Sequence, residues 1–291
     1  MKYTHETIRP FLFSLLLLAC LPAGADGNDF GLDFTAEANK KLLDNRLTLG
    51  VAANMRTQDN TSQMERYLLE VGGTYKLVDR KKYSLKVGLS YEHMWTKSLD
   101  EYTPKNSVKY YSDKFDYIGY GQFQAIEKGY NTGYNYDASY WRRRSRINLS
   151  ASFSYKPAKR FTLTLKETLQ YRHYSSASTE RTKYRHKVRY YEDDSDTLYT
   201  TIKEKESKDR WMLRSKLSLQ YSRKRCPWEP YISAEYGCGL GYNAHKWKFT
   251  AGTDYKISKQ HSIGAFYRFQ TENDDDEPNG HIIGLGYSFK F

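Results

Sequence analysis

The chain has 291 residues, with 46 Lys and Arg against 34 Asp and Glu, a net charge of +12, and 28 Tyr; its mean hydropathy is −0.83. Three cysteines, one of them at position 20, exclude a small disulfide scaffold. Long apolar runs are missing beyond the N-terminus, which excludes the buried parallel strands of an α/β enzyme and any transmembrane helix.

Residues 1–25 read as a secretory signal. Lys2 and Arg9 give a basic start, Phe11 to Leu18 an apolar stretch, and Ala23-Gly24-Ala25 a cleavage site. Cys20 in "LLAC" offers lipoprotein processing as the alternative. Residues 26–291 are then expected to form one exported domain without a helical anchor.

From there the chain alternates. "LTLGVAANM" sets Leu47, Leu49, Val51, Ala53 and Met55 on one face, and "YSLKVGLSYEHMW" does the same from Tyr83 to Trp95. The pattern returns in "INLSASFSY", "FTLTLKETLQY", "WMLRSKLSLQY", "KWKFTAGTDYKI" and the closing "HIIGLGYSFKF". A period of two marks strands with one apolar face. Eleven such segments lie near 30–41, 46–57, 64–77, 83–95, 145–156, 161–173, 210–222, 228–239, 246–257, 261–271 and 280–291. Most have the roughly 9–11 residues or more that a tilted membrane-crossing strand needs. Tyr, Trp and Phe gather at their ends, as interfacial girdles require.

Connections alternate too. "YKLVDRKKYSL", "YKPAKRFTL" and "YKISKQHSI" are tight turns, whereas 96–144 and 174–209 are long. The expectation is an all-β antiparallel transmembrane β-barrel of ten to twelve strands, with short periplasmic turns and two long extracellular loops. Barrels of this kind normally have an even count, which favours twelve, the last being found in "SVKYYSDKFDYIGY" within 107–120. If every short turn is periplasmic, eleven strands start the first one on the outside. A soluble exported β-sandwich remains the competing architecture.

The tail "YISAEYGCGLGYNAHKWKFTAGTDYKISKQHSIGAFYRFQ" and the closing "HIIGLGYSFKF" resemble the bacterial family filed as domain of unknown function 2490, a group of predicted outer-membrane barrels. "GGTYKL" and "LKVGLSYE" extend the likeness to the front half. The resemblance implies a barrel in the outer membrane of a Gram-negative cell and no established activity.

If the apolar face meets lipid, the other face lines the lumen. Candidates for that lining are Arg66, Glu70, Lys166, Arg214, Lys216, Glu235, Lys248 and Arg268, with Arg56, Glu92, Arg146 and Arg172 on the same face. Bases outnumber acids about two to one there, which suits either a packed Arg–Glu network or a pore favouring anions. Trp141, Arg142, Arg143 and Arg144 are extracellular loop candidates for stacking on sugars or holding acidic groups. Tyr287, Phe289 and Phe291 resemble the signal read by the barrel insertion machinery. The partners expected are outer-membrane lipid, lipopolysaccharide, that machinery, and small anionic solutes or glycans; nucleic acid is not expected.

An enzyme is not expected, and neither are a cofactor or a metal. His93, His173, His245 and His281 stand near strand ends, but no G-x-S-x-G or zinc spacing accompanies them. "NDDDEP", 273–278, lacks the spacing of a calcium loop. The runner-up function is a barrel enzyme acting on lipid or glycan at the outer rim. Cys226 and Cys238 bracket one strand and are expected as free thiols, since about twelve extended residues hold them far beyond disulfide reach.

Overall fold

A computed structural model describes residues 29–291 apart from 121, 190–193, 225 and 274–278. The expected signal segment 1–25, Cys20, and most of the acidic run 273–278 lie outside the described residues. Two compact units result. The first holds residues 29–96, 143–174 and 208–291, and the second holds 97–142 and 175–207.

The first unit is a closed barrel. Its strands in chain order are β1 (Asp29–Leu42), β2 (Leu47–Gln58), β3 (Gln63–Asp79) and β4 (Tyr83–Ser98). After the second unit's first part come β8 (Tyr140–Ala158) and β9 (Phe161–Tyr174), and then β12 (Lys208–Tyr221) to β16. The last four are β13 (Trp228–Leu240), β14 (His245–Lys256), β15 (His261–Glu272) and β16 (Gly280–Lys290). The order around the wall is β1-β16-β15-β14-β13-β12-β9-β8-β4-β3-β2. Eleven strands fall within the expected ten to twelve, and they coincide with the eleven alternating segments.

The count is odd, so one seam is parallel. β1 runs beside β16 in parallel from Asp29↔Gly280 to Asn39↔Lys290, whereas β1–β2, β2–β3, β3–β4, β8–β9, β9–β12 and each successive pair from β12 to β16 are antiparallel. Asp29 and Phe291 therefore lie at opposite ends of the barrel. Gly280 opens the seam at φ +154°, where a Cβ would meet the Asp29 carbonyl oxygen at 1.9 Å. Further along, a Cβ on Gly284 would fall 2.0 Å from the Phe266 ring, so the bare inner face of the last strand is room for that ring.

Burial is inverted relative to a water-soluble core. Leu69, Val71, Leu89 and Leu149 on the outer face are each more than half exposed, while Arg56, Gln170 and Gln270 are at most 1% exposed. Alternation alone produces this: closing the sheet sends every second side chain inward. Two aromatic bands edge the outer face. Phe161–Tyr221, Trp228–Tyr255 and Phe289–Phe291 pair at the short-turn end; Tyr171–Trp211, Tyr236–Trp247 and His93–Trp95 pair toward the other. Cys226 and Cys238 are both free thiols.

The second unit corrects the reading of the two long segments as loops. They build a sheet of β5 (Glu101–Pro104), β6 (Ser107–Gly119), β7 (Gln122–Asp137), β10 (Ala177–Arg189) and β11 (Ser195–Lys205). Its order is β11-β10-β7-β5, with β6 also on β7. The favoured twelfth barrel strand is β6, and it pairs here through repeated register shifts rather than in the barrel wall. β10 and β11 pair antiparallel as a hairpin. Asp137 anchors this sheet: Arg181 donates at 2.5 and 2.7 Å and Lys203 at 2.5 Å. The hydrogen bonds from Arg181, ahead of the opposing effect of burial, hold its carboxyl well below the usual carboxylate range.

Candidate functional site: the charged lumen

Two chambers lie inside the barrel, of about 390 and 280 Å³. Glu70, Glu92, Arg214, Lys216 and Glu235 border both. Together the walls carry ten basic and five acidic side chains. The smaller chamber is the more basic, with nine Lys and Arg against four carboxylates.

Pairing keeps these buried charges tolerable. Arg214 donates Nε and Nη2 to one oxygen of Glu235, at 2.9 and 2.7 Å. Asn148 donates to Glu92 at 2.6 Å, Gln170 to Asn148 at 2.5 Å, and Arg172 to Gln170 at 2.7 Å. Asp33 is surrounded by three guanidinium groups: Arg56 at 2.8 Å, Arg268 at 3.8 Å and Arg66 at 3.9 Å. Lys246 pairs with Glu272 at 2.5 Å. Charges in a dry wall need such partners.

The structure places all eight lumen candidates on these walls. Glu70, Arg214, Lys216 and Glu235 border both chambers, Lys166 the larger, and Arg66, Lys248 and Arg268 the smaller. Two central acids escape the sequence reading. Asp33 belongs to the inward series Asp33, Thr35, Glu37, which alternation in β1 could have shown. Glu65 carries no such signal. A register shift at Arg56/Thr57 pairs Thr57 with Met64, and Glu65 and Arg66 are then both buried.

Trp141, Arg142, Arg143 and Arg144 are corrected from loop to strand, since all four stand on β8. Alternation splits them. Trp141 is exposed, whereas Arg142 and Arg144 are buried. Arg142 donates to the carbonyls of Ser175 and Glu206, at 2.7 and 2.5 Å, and Arg144 lies 4.9 Å from the Tyr174 ring centre. Tyr287, Phe289 and Phe291 close β16: Phe289 lies 5.0 Å from His261 and 4.5 Å from Phe291, ring to ring.

The outer rim holds a second polar group. Asp209 sits 2.7 Å from Nδ1 of His173 and accepts from the Tyr171 hydroxyl at 2.8 Å. Ser145 stands directly across from His173 in the β8–β9 register, as Asp209 does on the other side. The Ser145 hydroxyl lies 3.1 Å from Tyr91 Oη and 3.3 Å from Nδ1 of His93. His245 and His281 bond Tyr236 and Tyr267 hydroxyls instead.

The model of a family described as "Protein of unknown function (DUF2490)" matches residues 32–281. No curated protein matches the chain. Among solved structures, the CymD monoaromatic hydrocarbon channel aligns with a TM-score of 0.34 and 12% identity, covering 89% of this chain and 87% of that one. The translocator domain of autotransporter NalP from Neisseria meningitidis aligns at 0.29 and 10%, covering 95% and 92%.

Proposed function

From the premise that this chain belongs to the DUF2490 family, whose description gives no activity, we propose that it is an outer-membrane barrel with a narrow, net-basic lumen admitting small polar solutes. The observation that carries this is the inverted burial, with leucines and valines outside and arginines and glutamines inside. An exposed apolar wall of this extent needs lipid around it. The excess of bases, which the smaller chamber carries, attracts anions and repels cations of equal size. Lipopolysaccharide, the insertion machinery and small anionic solutes are the partners that fit this reading, and no chemistry is assigned to the lumen.

Planar-bilayer recording tests it. Under a KCl gradient the reversal potential is expected on the chloride side, with small unitary currents. A cation-side potential would refute the basic-lumen selectivity, and silence across the voltage range would refute an open conduit.

A second reading is supported by the rim group Ser145, His173 and Asp209. A carboxylate fixing an imidazole, with a serine directly across the strand pair, brings together the residue types of acyl hydrolysis. The imidazole would take the serine proton as the serine oxygen attacks the ester carbonyl, and would pass it to the departing lipid alcohol as the ester C–O bond breaks. Water, deprotonated by the same imidazole, would then cleave the acyl-serine ester, release the fatty acid and restore the serine hydroxyl. The group lies on the outer face near the aromatic band of Tyr171 and Trp211, where ester groups of a membrane run. On this reading the purified barrel releases fatty acid from phospholipid micelles, and Ser145→Ala lowers the rate by about a hundredfold or more. If the wild-type barrel releases none, the second reading fails.

A further inference from the structure

The larger chamber carries two like-charge pairs, although Glu235 on β13 stands directly opposite Lys216 and Glu37 on β1 adds a further carboxylate. Glu70 and Glu92 stand directly opposite each other on β3 and β4. Lys166 and Lys216 do the same on β9 and β12. Only β8 separates the two walls, and it lines the chamber with Asn148 and Ser150. Like charges directly across a strand pair destabilise a sheet. Here the unfavourable arrangement occurs twice, once in each sign, facing one cavity.

The wall does not neutralise these groups evenly. Arg214 is taken by Glu235, and Glu92 by Asn148, with Arg146 at 3.6 Å. Glu70 has the Ser90 hydroxyl beside it and feels Lys166 and Arg214 at a distance. Lys166 and Lys216 make no direct hydrogen bond or ion pair among the described residues; they feel Glu235 and, for Lys166, Glu70 and Glu92 only at a distance. The ammonium groups thus border open space of about 390 Å³, with the carboxylates across it. That volume falls within the range of roughly 300–1,000 Å³ of small-molecule sites.

We propose that this chamber binds small zwitterions bearing one carboxylate and one ammonium group. The carboxylate lies against Lys166 and Lys216, and the ammonium against Glu70 and Glu92. A simple anion satisfies the lysines but meets two carboxylates, and a simple cation meets the reverse. A zwitterion relieves both like-charge pairs at once. The proposal rests on the reading of the lumen as accessible to polar solutes.

Equilibrium binding to the full-length refolded barrel in detergent tests it, with L-alanine, acetate and ethylammonium as probes. Alanine is expected to bind more tightly than either single ion by about tenfold or more. Lys166→Gln with Lys216→Gln is expected to weaken alanine about as much and to favour ethylammonium; Glu70→Gln with Glu92→Gln favours acetate. Heat-modifiable migration verifies that each variant is folded, and Lys216→Gln and Glu70→Gln alone replace any pair that is not. Acetate binding as tightly as alanine, no binding by any probe, or affinities unmoved in the variants would overturn the proposal. Alanine binding without conductance keeps this site and removes the open conduit; conductance without alanine binding removes this site alone.

Discussion

Replacing Arg56 with alanine is expected to destabilise the barrel by about 3–5 kcal/mol, the cost of stripping one partner from a buried ion pair. Arg56 donates Nε and Nη2 to the same oxygen of Asp33, at 3.0 and 2.8 Å, and its Nε lies 3.6 Å from Glu65. Asp33 and Glu65 are both 3% exposed, so neither carboxylate can turn to water when the guanidinium goes. Arg66 at 3.9 Å and Arg268 at 3.8 Å are too far to replace two direct bonds without moving. Arg56→Lys keeps the charge and loses the planar fork, so it should recover only part of the loss. Urea unfolding of the lipid-reconstituted barrel gives the comparison. A loss under about 1 kcal/mol for Arg56→Ala would mean that the Asp33 cluster is wet and exchangeable rather than a built part of the wall.

How much of this was legible depends on which residues followed the alternation. All eleven barrel strands and all eight lumen candidates were visible because period two, in a closed sheet, fixes the facing of every side chain. Glu65 was invisible because a bulge breaks that rule for one residue. The long segments misled for a different reason. "SVKYYSDKFDYIGY" alternates like a wall strand, and parity called for one more. Yet that strand, β6, pairs with β7 through repeated register shifts, in a separate sheet. Alternation reports that a strand has two unlike faces, not which sheet receives it. The triplet Arg142, Arg143 and Arg144 looked like a basic loop motif because three adjacent cations share no face in a sequence; on β8 Arg142 and Arg144 are buried and Arg143 is exposed.

The parallel seam follows from the same arithmetic. With eleven strands and short turns at one end, the first and last strands must run in the same direction. A parallel pair holds its strands with slanted hydrogen bonds that are slightly weaker per residue. The seam offsets this by length, with eleven residue pairs in register, and by Gly280, which lets β16 approach the Asp29 carbonyl closely.

That seam bears on the end of the chain. Deleting Phe291 is expected to remove most of the inserted, heat-modifiable barrel in cells while export continues, and to leave refolding in detergent nearly unchanged. The ring is two-thirds exposed and touches Phe289 edge-on at 4.5 Å, so little folded-state packing is lost with it. The backbone loses one bond, from the Phe291 N–H to the Asn39 carbonyl at 2.9 Å, worth about 1 kcal/mol net. A loss confined to cells therefore separates recognition from stability. Tyr287, Phe289 and Phe291 stand two residues apart on one outward face, the form a strand-reading partner needs, since edge pairing supplies affinity and alternate side chains supply specificity. Phe291→Tyr keeps an aromatic ring and should restore insertion, whereas Phe291→Ser should not. Equal losses in cells and in detergent would assign Phe291 to the seam instead, and undiminished insertion in cells would make it an ordinary strand residue.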